Sequence, residues 1–298
     1  MTQKARIVVC IPAFNEEQHL AAVVVTAFRS ADTVVVCDDG SSDLTAEIAS
    51  RLGAIVVRHE RNLGYGAALR SLLQKARELN AEVAVTLDGD GQHDARQIPI
   101  VVEPVLEMRA DVAIGSRFLG GSDVPGLRRT GVKAATGLVR GVTGLSVTEA
   151  QSGFRAYSHR ALDVISITED GMGASTEVLQ KAAAANLRVE EVPITISYNV
   201  KAPSTHNPAY HFADVVASTI KHYSIRHPLL VYGIPGVAFI VAGLAYGLDA
   251  ITIYSKTHLV AVGSAIIAVG AITIGVLLSM TGLLLFTIIN VLRERKRT

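Results

Sequence analysis

The chain has 298 residues, 49% of them hydrophobic and 18% charged, with a formal net charge of +1. That length suits one large α/β domain plus a small appendage, with a core sizeable enough to do without disulfides. The near-zero charge, with no long basic stripe to neutralise a phosphate backbone, argues against a nucleic-acid partner.

Residues 1–6 are polar, and the apolar run that follows contains Pro12, Asn15, Glu16 and Glu17, which is not the pattern of a secretory signal peptide. The β-branched run at 6–11 is expected to be a strand, and residues 15–28 open a helical pattern. A second strand is expected at 33–37, with Ser41, Ser42 and Asp43 capping a helix that runs to about Leu52. A strand at 54–58, a helix at 65–79 and a strand at 82–87 follow. Cys10 and Cys37 each lie inside a β-branched run and read as reduced core thiols, because a zinc site needs about four clustered ligands.

Strands alternating with helices imply right-handed crossovers and a mainly parallel sheet covered on both faces. In such sheets ligands bind beyond the carboxyl ends of the strands. The segments at those ends are Pro12-Ala13-Phe14-Asn15-Glu16, Asp38-Asp39-Gly40-Ser41-Ser42-Asp43, Asn62-Leu63-Gly64-Tyr65-Gly66 and Asp88-Gly89-Asp90-Gly91-Gln92-His93. Carboxylates gathered in this way repel one another unless a cation or donor ligand holds them. Asp88 and Asp90 straddle one glycine directly after a strand, so their side chains converge, with Gln92 on the same side. Hard oxygen ligands of this kind suit Mg²⁺ or Mn²⁺ completed by phosphate oxygens and water. His93 fits a supporting or structural place better than that of a further ligand.

Together with Gly115-Ser116-Arg117 and Ser152-Gly153-Phe154-Arg155, these ordered motifs resemble family 2 glycosyltransferases of the dolichol-phosphate mannosyltransferase and glucosyltransferase type, over about residues 5–200. The resemblance implies a GT-A fold, with a mainly parallel, Rossmann-like sheet. It implies a nucleotide-diphosphate sugar donor (UDP-glucose, UDP-N-acetylhexosamine or GDP-mannose) and a polyprenyl or dolichyl phosphate acceptor. Carried over by position, Pro12, Ala13, Asn15 and Glu16 line the nucleoside pocket with Asp39, and the donor-binding set also takes in Asp38, Gly64, Gly89, Asp88 and Asp90. Asp88, Asp90 and Gln92 match the metal positions, and Arg117 matches the arginine near the transferred group. Glu177 resembles an acidic residue on the acceptor side, although a carboxylate in the first turn of a helix is favoured by the dipole alone.

A lipid phosphate is already ionised at neutral pH and attacks without a general base, so arginines matter more. Arg117, Arg128, Arg129 and Arg155 are the candidates to grip the anionic acceptor bidentately. In-line attack at the anomeric carbon predicts inversion. One departure from the family pattern stands out: its arginine-rich loop is replaced here by residues 199–208, with Lys201 the only charge. This inclines the reading toward a divergent, archaeal-type glucosyl or N-acetylhexosaminyl branch. Processive polysaccharide synthases resemble the domain too, but they carry a Gln-x-x-Arg-Trp motif and this chain has no tryptophan. A non-catalytic scaffold would need a broken metal motif, and a dinucleotide-binding enzyme a Gly-x-Gly-x-x-Gly after the first strand; neither is present.

Two apolar stretches, 229–254 and 259–292, close the chain, and each exceeds the roughly 20 residues that a helix needs to cross a bilayer. Only residues 255–258 separate them, which predicts a tight helical hairpin. Glycines at 236, 243, 247, 263, 270 and 275 offer faces for close helix approach. Lys221 and Arg226 before the hairpin, and Arg293, Arg295, Lys296 and Arg297 after it, place both ends and the N-terminal domain in the cytoplasm. The expected organisation is a GT-A domain at 1–207, an amphipathic juxtamembrane helix at 208–227, and a transmembrane hairpin with a basic tail at 228–298. A homo-oligomer is left open.

Overall fold

The first strand, β1 (Ile7–Ala13), is apolar and buried at every position, as a strand must be when both faces of its sheet are covered. The computed structural model describes residues 6–120, 136–137, 139–141, 143–196, 224 and 228–295. Contacts divide the chain into two compact units, Met1–Thr219 and Ile220–Thr298.

In the first unit, β1 is followed by α1 (Leu20–Ala27), β2 (Thr33–Asp38), α2 (Thr45–Arg51), β3 (Ile55–Arg58), α3 (Tyr65–Glu78) and β4 (Val83–Thr86). Then come α4 (Ile98–Leu106), β5 (Val112–Ser116), β6 (Arg155–Ser158), α5 (His159–Val164), α6 (Ala174–Ala184) and β7 (Val189–Pro193). The strands form one sheet in the order β3-β2-β1-β4-β6-β5-β7. Every pairing is parallel except the two made by β6. Alternate residues of the strands feed two cores. Val8, Cys10, Val35 and Cys37 pack with Leu69, Leu72 and Leu73 of α3 and Val178 of α6. Val9, Ile11, Val34 and Val36 pack with Leu20 and Val24 of α1 and Val101 of α4. Each such fully buried side chain contributes about 1.5–3 kcal/mol. Cys10 and Cys37 are free and buried, and burial pushes both thiols up to about 12, so they act as small apolar groups.

The elements expected through residue 87 are present, with a shift at α1 and with Leu44 rather than Ser41, Ser42 or Asp43 at the N-cap of α2, where Asp43 Oδ1 still accepts from the Thr45 amide at 3.0 Å. The first helix starts at Leu20 rather than near Asn15, because Asn15 takes a left-handed conformation (φ 56) that ends helical continuity. Farther on, the last strand of the sheet is Val189–Pro193, and Ile196 makes an isolated antiparallel bridge to His93. Strand order reverses between β1 and β4, the kind of switch point beyond whose carboxyl ends ligands bind in such sheets. There Pro12 and Asp88 lie side by side. A Cβ on Gly89 would stand 3.1 Å from the Pro12 carbonyl oxygen.

In the second unit, one π turn (Leu229–Gly233) leads into α7 (Ile234–Thr257), and α8 (Val262–Arg295) follows. His258, at φ 55, ends α7 in the left-handed conformation. The stretches Leu229–Thr257 and Val262–Ile289 have mean hydropathies of 2.0 and 2.3 with 11% of each window buried, so both are long and apolar enough to cross a membrane. They pack against each other through glycines. A Cβ on Gly236 would meet the Ser279 hydroxyl at 2.3 Å, one on Gly243 the Ile272 side chain at 2.7 Å, and one on Gly275 the Gly236 carbonyl at 2.6 Å. Gly282, which the sequence pattern did not single out, joins this seam 3.1 Å from the Gly233 amide; Gly263 and Gly270 face open space. The expected juxtamembrane helix falls almost wholly outside the described residues.

Candidate active site

The loops after β1 and β2 are laced together by short polar side chains. The Asn15 amide donates to Ser41 Oγ at 2.9 Å, and Asn15 Oδ1 accepts from the Ser42 amide at 3.0 Å. The Glu16 amide donates to Thr45 Oγ1 at 2.8 Å. Asp38, fully buried at the end of β2, accepts from the Ser41 amide at 3.1 Å and pairs with Arg58 Nε at 3.1 Å. Asp39 accepts from His59 Nδ1 at 2.6 Å, from the Leu63 amide at 2.9 Å and from the Gly64 amide at 2.8 Å. Beside this network lies an open cleft lined by Gly40, Ser41, Arg58, His59 and Glu60. Gly40 cannot be replaced cheaply: its φ is +75, and a Cβ there would stand 2.4 Å from the Arg61 backbone.

The structure therefore brings Asn15, Glu16, Asp38, Asp39 and Gly64 to one end of the sheet, where Pro12 and Ala13 close β1. It also shows that Asn15 and Asp39 spend their polar atoms on neighbouring loops. Asn15 Oδ1 and both Asp39 carboxylate oxygens are thus engaged by loop atoms.

The Asp88–Asp90 end is built differently. Asp90 Oδ1 accepts from the Gln92 amide at 2.9 Å, while Asp88 Oδ2 has His93 Nδ1 at 3.4 Å. Burial, and then the charge of Asp88, push the Asp90 carboxyl above the usual range. Glu16 is likewise raised, mainly by burial, with Asp90 adding to the rise and a hydrogen bond from His19 opposing it. The antiparallel register that pairs Thr86 with Arg155 carries Gly153 to a place opposite Asp88. A Cβ on Gly153 would fall 2.6 Å from both Asp88 oxygens, so only glycine leaves this carboxylate its position. The Thr86 hydroxyl, donating to the Gly153 carbonyl at 2.7 Å, fixes the approach.

These residues fit a hard divalent cation. Two carboxylates repelling each other, with few protein donors around them, gain most from a cation that brings phosphate oxygens and water as its other ligands. Among the described residues no group of three or more His, Cys, Asp or Glu side chains is placed to hold a metal ion.

The downstream expectations fare less evenly. Arg117 is buried, and its guanidinium and amide both bind Glu149, with the amide at 2.8 Å from Oε2. Glu149 is in turn fixed by its amide donating to Glu191 at 2.9 Å. Arg155 is 2% exposed, and its guanidinium donates to the carbonyls of Ser152, Ser175 and Ala150 at 2.9, 2.9 and 2.7 Å. A guanidinium so enclosed does not suit the bidentate acceptor contact expected of it; it ties three loops together. Glu177, 1% exposed, accepts from the amides of Thr168 and Glu169, each at 2.9 Å, and pairs with Lys181 at 2.7 Å. It anchors the 168–170 segment rather than facing an acceptor. Arg128 and Arg129 lie outside the described residues.

That anchored segment packs against the start of α3. The Gly66 amide donates to the Asp170 carbonyl at 2.7 Å, and a Cβ on Gly66 would come 2.1 Å from the Glu169 carbonyl. Two residues were missed by sequence reasoning. Tyr65 is held by a hydrogen bond to Ser175, and its phenol is raised well above its usual range by burial and then by the charge of Asp88. His59 binds Asp39 from twenty positions away. Tyr65 sits inside a quoted motif, so position gave a signal; a lone histidine after a strand gave none.

A mixed sheet with a β1/β4 switch point, acidic strand-end loops and an Asp-x-Asp after β4 defines a nucleotide-sugar transferase of the GT-A class. The chain belongs to the glycosyl transferase family 2, whose model matches residues 8–166, and it is a glycosyltransferase. It is 32% identical over 211 residues to the UDP-N-acetylglucosamine–dolichyl-phosphate N-acetylglucosaminyltransferase of Methanococcus voltae, covering 63% of this chain and 84% of that one. It is 31% identical over 204 residues to the undecaprenyl-phosphate mannosyltransferase of Micrococcus luteus, covering 64% and 83%. Among solved structures, the fold is similar to glucosyl-3-phosphoglycerate synthase from Mycobacterium tuberculosis, crystallised with Mn²⁺, UDP and glucosyl-3-phosphoglycerate. That likeness has a TM-score of 0.58 at 24% identity and covers 73% of this chain and 80% of that one.

Proposed function

We propose that this glycosyltransferase moves a hexosyl group from a nucleotide-diphosphate sugar to a dolichyl or polyprenyl phosphate, with inversion at the anomeric carbon. The observation that carries the reading is the Asp88–Asp90 pair at the switch point: two carboxylates, one raised by burial and by the other's charge, set where a diphosphate would lie. Both relatives carry a polyprenyl-type phosphate in their names while differing in sugar, which supports the acceptor class and leaves UDP-glucose, UDP-N-acetylhexosamine and GDP-mannose as the candidate donors.

Asp88 and Asp90, with Gln92 beside them, would hold Mg²⁺ or Mn²⁺ against the diphosphate. When bound, that cation supplies Lewis-acid neutralisation of the leaving nucleoside diphosphate. The loops around Asn15, Glu16, Asp38, Asp39 and Gly64 receive the nucleoside. No side chain needs to take a proton from the acceptor, since a phosphate monoester is ionised at neutral pH. Arg117, oriented by Glu149, keeps positive charge near the site, and Arg128 and Arg129 remain candidates for the acceptor phosphate. Arg155 and Glu177 act by holding loops. The apolar helices α7 and α8 tether the enzyme in the bilayer where its lipid acceptor resides, which raises the encounter rate. The basic residues flanking them favour a cytoplasmic catalytic domain.

The test incubates the purified full chain and polyprenyl phosphate with a panel of labelled nucleotide sugars, with and without Mn²⁺ or Mg²⁺. Label from one donor, extractable into organic solvent and abolished by chelator, is the expected result. Transfer from no donor, or transfer indifferent to chelator, refutes the metal-dependent lipid-phosphate reading.

A further inference from the structure

His59 lies one residue beyond β3, in the wall of the cleft that also includes Gly40, Ser41, Arg58 and Glu60. Its side chain is 10% exposed. Nδ1 is 2.6 Å from Asp39 Oδ1, and Nε2 is 2.9 Å from the hydroxyl of Ser71 on α3. A carboxylate only accepts hydrogen bonds, so Asp39 fixes a ring proton on Nδ1, while Nε2 meets the Ser71 hydroxyl and, at 3.7 Å, Cys37 Sγ. The His59 amide adds a bond to the Asp38 carbonyl at 2.9 Å. The imidazole is thus clamped between β2 and α3, with its charge-assisted bond directed at the one carboxylate that also holds the Leu63 and Gly64 amides.

We propose that His59 is a positioning residue for the donor nucleoside: it pins Asp39, and through Asp39 the Leu63-Gly64 turn, in the shape that admits a nucleoside diphosphate. This rests on the donor reading above. Without the imidazole, Asp39 loses its shortest bond, and its buried charge gains by turning toward the open cleft beside it. There it would occupy nucleoside space and repel the diphosphate. The effect therefore falls on donor affinity and not on the chemical step. Ser71 acts one bond farther back, by fixing the ring that fixes Asp39.

The experiment titrates UDP and, separately, GDP, each with Mn²⁺, into the full chain in detergent, comparing wild type with His59→Leu, His59→Asn and Ser71→Ala. His59→Leu should weaken binding of whichever nucleotide the wild type takes by roughly tenfold, the scale of a lost charge-assisted bond. His59→Asn keeps an N–H near the place of Nδ1 and should recover most of that loss, while Ser71→Ala should cost about threefold. In turnover, donor KM rises in His59→Leu and kcat holds, whereas a merely structural role would lower the active fraction and leave KM alone. Wild-type affinity in His59→Leu, equal weakness in His59→Asn and His59→Leu, or a fall in kcat at constant KM overturns the proposal. Should His59→Leu fail to fold, wild-type affinity in Ser71→Ala overturns it equally. Wild-type protein that binds neither nucleotide defeats the donor reading itself, and this inference with it.

Discussion

Two acidic pairs stand at the ends of neighbouring parts of the same sheet and receive opposite treatment. Asp38 and Asp39, after β2, are surrounded by donors: an arginine, a histidine and three backbone amides. Asp88 and Asp90, after β4, are given one amide and a histidine at 3.4 Å, and Asp90 is raised by burial and by its neighbour's charge. The first pair is largely engaged by the protein and acts as scaffold, although Asp38 Oδ2 meets Arg58 only as an ion pair, without a hydrogen bond. The second has few protein donors, and on the function proposed above it is the pair that takes a cation. Identical residue types at equivalent strand ends thus divide into structure and chemistry according to who supplies the counter-charge.

The sharpest way to break this comparison is Asp90→Ala. Turnover should fall at least about a hundredfold, as expected when transition-state charge stabilisation is removed, while the melting temperature holds or rises because a destabilised buried carboxylate is gone. An active variant would refute the role given to Asp90. Next is Gly153→Ala. Its Cβ would press on both Asp88 oxygens at 2.6 Å, and displacing that carboxylate should cost roughly tenfold to a hundredfold in turnover, with more Mn²⁺ needed for half-activation. A normal metal-activation curve would show that the tight approach of Gly153 is unimportant.

The scaffold pair predicts a different signature. Asp39→Ala strands buried amide donors and should destabilise the catalytic domain by about 3 kcal/mol, read as a melting shift of several degrees with or without Mn²⁺. A shift seen only with Mn²⁺ present would reverse the assignment of the two pairs. The smallest effect is one of pH. Since Asp90 titrates above its usual value, its contribution to stability in the metal-free protein is present at low pH and lost as pH rises through the raised value. A cation needs the ionised form, so the thermal shift produced by Mn²⁺ should shrink as pH falls through that same range. In Asp90→Asn this dependence should be flattened; a wild-type shift that stays constant with pH contradicts the charge argument.

Much of this was legible in the linear sequence. The β-branched runs that became β1 to β4, the helices between them, and the apolar helices α7 and α8 are local patterns, set by side chains a few positions apart. The acidic strand-end loops were legible for the same reason, since βα topology alone places them at one end of the sheet. The start of α1 was missed because the left-handed turn at Asn15 is stabilised by Ser41 and Ser42, on another loop. Arg155 and Glu177 looked like substrate residues because charge in a motif suggests a ligand. Arg155 is held by backbone carbonyls, and Glu177 by amides of another segment and by Lys181 one turn along its own helix.

The sequence by itself determined the order of the elements, the acidic loops at their ends and the apolar hairpin that closes the chain. Which charges the protein satisfies for itself was decided only by the tertiary structure. Arg117 meets Glu149 across 32 residues, Asp39 meets His59 across 20, and Gly153 reaches Asp88 because β6 enters the sheet antiparallel beside β4. Hydrogen bonds and ion pairs require contact within a few ångströms, and contact between distant positions exists only once the chain has folded.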